Sequence, residues 1–382
     1  YNQLSGEIPS EIGNLTNLKV LDLSANNFTG EIPAAMGNLI NLTTLYLYDN
    51  RMTGSLEDAA LGNLVNMESL KMGLSADYSD DGSYYNTFSS FFSLSLIPSW
   101  LNNMTSLVEL DLISCSLYGS IPSRLFNLKN LTNLSLNTNS ITGRLPREIG
   151  LLTKLVTLDI GTNNITGRLP HEVGLLTKLK SLDLSSNNFN DSIPGEVISN
   201  LSALIVLKLD HNRFTGKIPH EIFELNSLTA LILMSNSLTG TLPSNIGNLT
   251  TLSVLYLYQN SIEGDIPDSF YNLFYLDEFD VSENRMTGEL SPAIGNGSLS
   301  NIALHSNSFS GQIPESLFQS TMLEFLELND NSFVGKMPRD MRNMTYLQTF
   351  SISRNSLSGS LPAGLEKLTF LGQFKASGLG LT

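Results

Sequence analysis

The sequence predicts an α/β solenoid of about fifteen stacked coils, with a parallel β-sheet lining its concave face. Three observations carry this. A unit of about two dozen residues recurs through all 382 residues. Nearly every unit places an asparagine at the same point. Most units then close through a glycine and an Ile-Pro or Leu-Pro pair. One such unit cannot bury its own apolar face, so neighbours must stack to share a continuous core.

The frame is clearest at Leu18, Leu21, Leu23, Asn26, Phe28, Gly30, Ile32 and Pro33, and it returns from Leu228 to Pro243. The stretch from Leu42 to Leu56 repeats it without the closing proline. The asparagine column runs through Asn2, Asn26, Asn50, Asn139, Asn163, Asn187, Asn212, Asn236, Asn260, Asn284, Asn307, Asn331 and Asn355, with Cys115 once in its place. Steps are 24 residues, apart from 25 into Asn212, 23 into Asn307 and a long gap after Asn50. This is the leucine-rich-repeat period, including its Asn-or-Cys option.

Each element of the unit has a physical reason. Alternation puts Leu21 and Leu23 on one face of a short strand and Asp22 on the other. An asparagine side chain both donates and accepts, so a column of them can satisfy backbone groups where every coil turns. Cys115 offers only a weak donor and is expected to be tolerated at a small cost in stability. Gly30, Gly54, Gly119, Gly143, Gly167, Gly216 and Gly240 stand where a tight bend favours a residue without Cβ. The proline has no N–H and a fixed φ, which suits a strand edge or a helix start. At roughly 4.8 Å per strand the stack is on the order of 70 Å long.

A solenoid grows in one dimension, so residues 1–382 are read as a single domain, and as a fragment without terminal caps because Asn2, Leu4 and Gly6 already lie inside a repeat. The formal net charge of −15 disfavours nucleic acid or an anionic membrane as partner. No apolar run approaches the ~20 residues of a membrane span. Asn-x-Ser/Thr triplets point to secretion with several glycans, at Asn14, Asn27, Asn41, Asn103, Asn130, Asn133, Asn164, Asn190, Asn200, Asn248, Asn296 and Asn343.

A half-repeat T/S-G-x-I-P decides the subclass, at Thr29 to Pro33, Thr215 to Pro219 and Ser310 to Pro314. It resembles the plant-type leucine-rich repeats of receptor-like kinases, receptor-like proteins and polygalacturonase inhibitors, over nearly the whole chain. The resemblance implies a right-handed superhelix whose inner sheet binds a peptide, a hormone, a microbial molecule or a co-receptor. Two family features are missing: paired cysteines in flanking caps, and any kinase sequence.

The long gap after Asn50 contains about sixteen extra residues, at 76–91, expected to emerge as a loop between coils. The resemblance allows such an insertion to help form a ligand site. Asp77, Ser79 and Asp81 imitate the opening of a calcium loop, but Phe88 stands where a bidentate Glu is required.

Outward positions of each strand map the concave face. Asp22, Asp111, Asp159 and Asp183 are the repeat's consensus, and Ser135, Asn137, Thr157, Gly161, Ser181 and Ser185 read as a solvated wall. Two places depart. Tyr46 and Tyr48 face inward beside Lys71. Further on, Ile232, Met234, Val254, Tyr256 and Tyr258 form an apolar and aromatic patch on adjoining strands. It is flanked by Val206, Lys208, Asp210 and His211 on one side and by Glu278, Asp280 and Glu283 on the other. A patch rimmed by charge is a partner surface, and the ligand-binding residues expected are Lys208, Ile232, Met234, Val254, Tyr256, Tyr258, Asp280, Tyr46 and Tyr48.

No converging nucleophile, base and oxyanion donor is evident, and no cofactor or metal motif occurs, so an enzyme is not expected. His171 and His220 recur after proline in matching half-repeats, too far apart to share a metal. The expected function is extracellular recognition of a protein or peptide ligand, with a co-receptor as a possible second partner. The alternatives are a soluble inhibitor of a cell-wall-degrading enzyme and an ice-surface or structural protein.

Overall fold

The alternation of each Leu-x-Leu segment becomes a three-residue strand in the computed structural model, which describes residues 2–74, 92–337 and 340–381. Contacts fall into two compact units, Tyr1–Asn190 and Asp191–Thr382. In the first, parallel inner strands run from Val20–Asp22 to Ser181–Asp183, seven among the described residues. In the second, eight run from Val206–Lys208 to Gln373–Lys375.

Register is uniform within each unit. Leu21 stands opposite Leu45, and Leu134 opposite Leu158. In the second unit Leu231 stands opposite Leu255, which stands opposite Phe279. A one-residue slip would turn every buried leucine outward, so the alternation enforces this pairing. Strand Ser69–Lys71 pairs directly with Glu109–Asp111, so the longer step between them leaves the register intact. The insertion expected at residues 76–91 lies outside the described residues.

The asparagine column does what its donor and acceptor count allows. Asn163 Nδ2 donates to Ile160 O and Gly161 O in its own coil and to Leu136 O in the preceding coil. Its Oδ1 accepts from Ile141 N of that preceding coil at 2.9 Å. Asn139 and Asn260 stitch two coils in the same way, at about 1 kcal/mol per bond. Cys115 makes only a weak contact, Sγ to Ile113 O at 3.6 Å, as its poor donor predicts.

The residue before the ladder asparagine is left-handed in coil after coil: Ala25, Thr138, Thr162, Ser186, His211 and Gln259 have φ between 47° and 55°. Ala, Thr, Ser and Gln do not mark a left-handed turn in a sequence, and His211 alone of these six is of a type enriched there, so the column was not legible as a whole. The glycine column is legible: Gly30 has φ 77°, and a Cβ there would crowd Glu7.

Between the strands the chain forms 3₁₀ turns. Pro33 sits extended just ahead of Ala34–Asn38, and Pro146 ahead of Arg147–Leu151. The sole α-helix among the described residues, Gly195–Ile198, has four residues. The repeat leaves too few residues for longer helices. The Thr-Gly segments add short parallel strands that the sequence reading did not separate, such as Arg213–Lys217 beside Ser237–Gly240.

Candidate functional site

In the second unit, ladder spacing brings the predicted patch together. Lys208 stands opposite Ile232, Ile232 opposite Tyr256, and Tyr256 opposite Asp280. The next row follows from two backbone bonds, His211 N to Met234 O at 3.0 Å and Ser235 N to Tyr258 O at 2.9 Å. They set Asp210, Met234 and Tyr258 side by side. Ile232, Met234, Val254, Tyr256 and Tyr258 are half-buried, while Leu231, Leu233, Leu255 and Leu257 between them are fully buried. The tyrosines therefore lie on the face, not in the core.

The ring centroids of Tyr256 and Tyr258 are 6.3 Å apart at 56°, a tilted packing suited to quadrupole attraction. The Tyr256 hydroxyl donates to Glu278. The Tyr258 hydroxyl is held above its ordinary pKa by burial and by the charges of Asp280, Asp210 and Glu283. Burial also raises Asp280, against the Ser282 hydroxyl and N–H that bond its carboxylate. Asp330 is held low by Arg354, whose guanidinium bonds it.

Tyr46 and Tyr48 lie in the first unit and form a separate pair, with centroids 6.1 Å apart at 54°. Here a cation is already in place. Lys71 Nζ sits 5.4 Å from the Tyr46 ring centroid and 2.8 Å from Glu109. Ser69 Oγ bridges the Tyr46 hydroxyl at 3.1 Å and Glu109 at 2.7 Å. Burial pulls the Lys71 ammonium down, but Glu109, Tyr46 and Asp111 outweigh it and raise its pKa. Sequence reasoning missed Glu109 and Ser69; their signal is the register that sets Ser69 opposite Glu109.

The consensus aspartates are structural. Asp111 accepts from Ile113 N, Asp159 from Gly161 N, and Asp183 from Ser185 N. The stretch read as a solvated wall is closer-knit than that. Asn137 and Ser185 are buried, Asn137 donating to Asp159 at 2.7 Å and the Ser185 hydroxyl to Asp183 at 2.6 Å. Short polar side chains here bond one another, within a strand or across to the next. Among the sequon asparagines, Asn14, Asn41, Asn103, Asn130, Asn164, Asn190, Asn200, Asn248 and Asn343 are exposed, while Asn27 and Asn133 are half-buried. Asn133 opens the inner strand Asn133–Ser135.

A leucine rich repeat family model matches residues 177–238 and 227–286, and a second one residues 17–39 and 346–368. A TDR receptor is similar at 30% identity with a TM-score of 0.84, over 100% of this chain and 67% of that one. The plant peptide hormone receptor RGFR1, solved in complex with RGF2, is similar at 31% identity and a TM-score of 0.81, over 100% of this chain and 66% of its own. This chain spans about two thirds of both. A plant ice-binding protein is similar at 28% identity and a TM-score of 0.57, over 65% of this chain and 82% of its own. Another matched structure holds an Arabidopsis receptor kinase with a peptide hormone and a co-receptor. No curated protein sequence matches the chain. Among the described residues no helix is long and apolar enough to cross a membrane.

Proposed function

The chain belongs to the leucine-rich-repeat ectodomains of plant receptor kinases, and from that premise we propose that it is the extracellular recognition part of a signalling receptor, a glycoprotein that takes a peptide ligand on the inner face of its second unit. One observation carries the choice of face: Ile232, Met234, Val254, Tyr256 and Tyr258 gather on adjoining strands, half-buried, against Glu278 and Asp280. Preformed strands hold these side chains, so a ligand gains apolar burial with little ordering of the receptor. Aromatic groups with a polar tip are the usual anchors of such contacts.

The matched receptors solved with peptide hormones support this reading, as do the exposed sequons. The test is a panel of synthetic plant-secreted peptides passed over the immobilised chain. Replacing Tyr256 and Tyr258 together by alanine should weaken a retained peptide by more than about tenfold. Unchanged affinity in that variant, with its melting temperature preserved, removes this face. The similarity to a plant ice-binding protein favours one other reading, in which a regular polar face meets ice. Thermal hysteresis by the purified chain would support it.

A further inference from the structure

One carboxylate on this face is chemically incomplete. Asp210 is only 7% exposed. His211 Nδ1 lies 2.9 Å from its Oδ2, yet its Oδ1 is buried with no hydrogen-bond partner. A buried charged acceptor without a donor is unfavourable, so such a group calls for an explanation. The consensus aspartates differ, since their Oδ1 atoms accept from the backbone two residues on, as Asp280 does from Ser282. Asp210 stands two positions further along its coil, where Ser185 and Ser282 stand in theirs.

Its surroundings name the missing donor. Asp210, Met234 and Tyr258 sit side by side in successive coils, so the outer two are separated by roughly 10 Å at about 4.8 Å per strand, with the methionine as floor. Asp210, Asp280 and Glu283 are all near enough to act on the Tyr258 hydroxyl. Lys208 shares the face, but it does not donate to the unpaired oxygen. Among the described residues no group of side chains fit for a metal ion occurs. An organic cation answers every feature: a donor for Asp210, charge for the acid rim, and a flat or apolar surface for the tyrosine ring and the thioether.

We propose that the inner face of the second unit carries a subsite for a cationic side chain of a peptide ligand, an arginine or lysine seated between Asp210 and Tyr258 over Met234. The guanidinium of arginine fits best, because it presents parallel donors to a carboxylate and stacks on an aromatic face. This rests on the recognition reading above and adds the ligand's charge to it.

The test uses the whole chain and two synthetic peptides of sequence Leu-Gly-X-Gly-Leu, with X arginine or its neutral isostere citrulline, measured by thermophoresis. The arginine peptide should bind at least about tenfold more tightly, as a desolvated charge pair would. Asp210→Asn should cut that preference to about twofold or less. In case that variant folds poorly, salt supplies a second readout on the unmodified chain. Raising ionic strength from about 0.1 M to about 1 M shortens the screening length from about 10 Å to about 3 Å and should shrink the preference. Spermidine should displace the arginine peptide only in large excess; displacement at equal concentration would assign the site to a free polyamine and overturn the peptide reading. Equal binding of both peptides, with loss of both in the tyrosine double variant, would overturn the cation subsite and leave the recognition face standing. If neither peptide binds, the subsite is overturned, while the peptide panel above still decides the face.

Discussion

The two tyrosine pairs are nearly the same object in two settings. Their centroid distances are 6.1 and 6.3 Å and their tilts 54° and 56°, because both occupy alternate outward positions of equivalent strands. The charges around them differ. Over Tyr46 lies Lys71, bonded to Glu109. Around Tyr258 stand Asp210, Asp280 and Glu283, and one oxygen of Asp210 lacks a partner. A lysine of the same chain lies over the first pair, whereas the second is rimmed by carboxylates, of which Asp210 meets only His211. Aromatic residues on a scaffold surface therefore say little by themselves; in the reading proposed above, what neutralises their neighbours separates the two pairs.

The comparison can be broken in several ways, and the largest effect is on stability. Burial pushes the Asp111 carboxyl, beside Lys71 and Glu109, up to about 6. Its folded pKa lies above the unfolded value, so the stabilisation is complete below about pH 4 and is lost as pH rises through about 6. Urea unfolding followed in the first unit should show about 2–3 kcal/mol less stability at pH 7 than at pH 4, and Asp111→Asn should remove most of that slope. A flat profile in the unmodified chain would contradict the buried carboxyl of the first cluster.

Ligand binding comes next. Tyr256 and Tyr258 replaced together by alanine should lose about tenfold or more in affinity, about 1.4 kcal/mol, while the same change at Tyr46 and Tyr48 should leave affinity within about twofold. Equal losses at both pairs would erase the distinction. Lys71→Met tests the lysine's part in the contrast. Removing this half-buried cation should cost about 0.5–1 kcal/mol by thermal melting, and the first pair, stripped of its lysine, should begin to retain the arginine peptide. The smallest effect is expected of Tyr256→Phe. It removes the bond to Glu278 and should lower affinity by under about 1 kcal/mol, read by the same thermophoresis.

Much of this was legible beforehand. The strands, their register and the two inward tyrosine pairs follow from period and alternation, because side chains two residues apart share a face. The asparagine column could be assigned its task by counting donors and acceptors, and Asn163 performs it. Other features were hidden. The left-handed column at Ala25, Thr138 and Gln259 has no residue signature. The polar knitting of Asn137 with Asp159 read as solvent-facing, since burial between neighbouring strands depends on how closely coils pack. Asp210 looked like one more rim charge.

By itself, then, the sequence determined the repeat, the strand register and which residues share a face, since these depend on spacing along the chain. Only the tertiary structure decided that Lys71 is spent on Glu109 and that Asp210 keeps an oxygen without a donor. Those outcomes turn on ångström-scale distances between side chains two dozen or more residues apart, and a hydrogen bond falls away steeply with distance and angle.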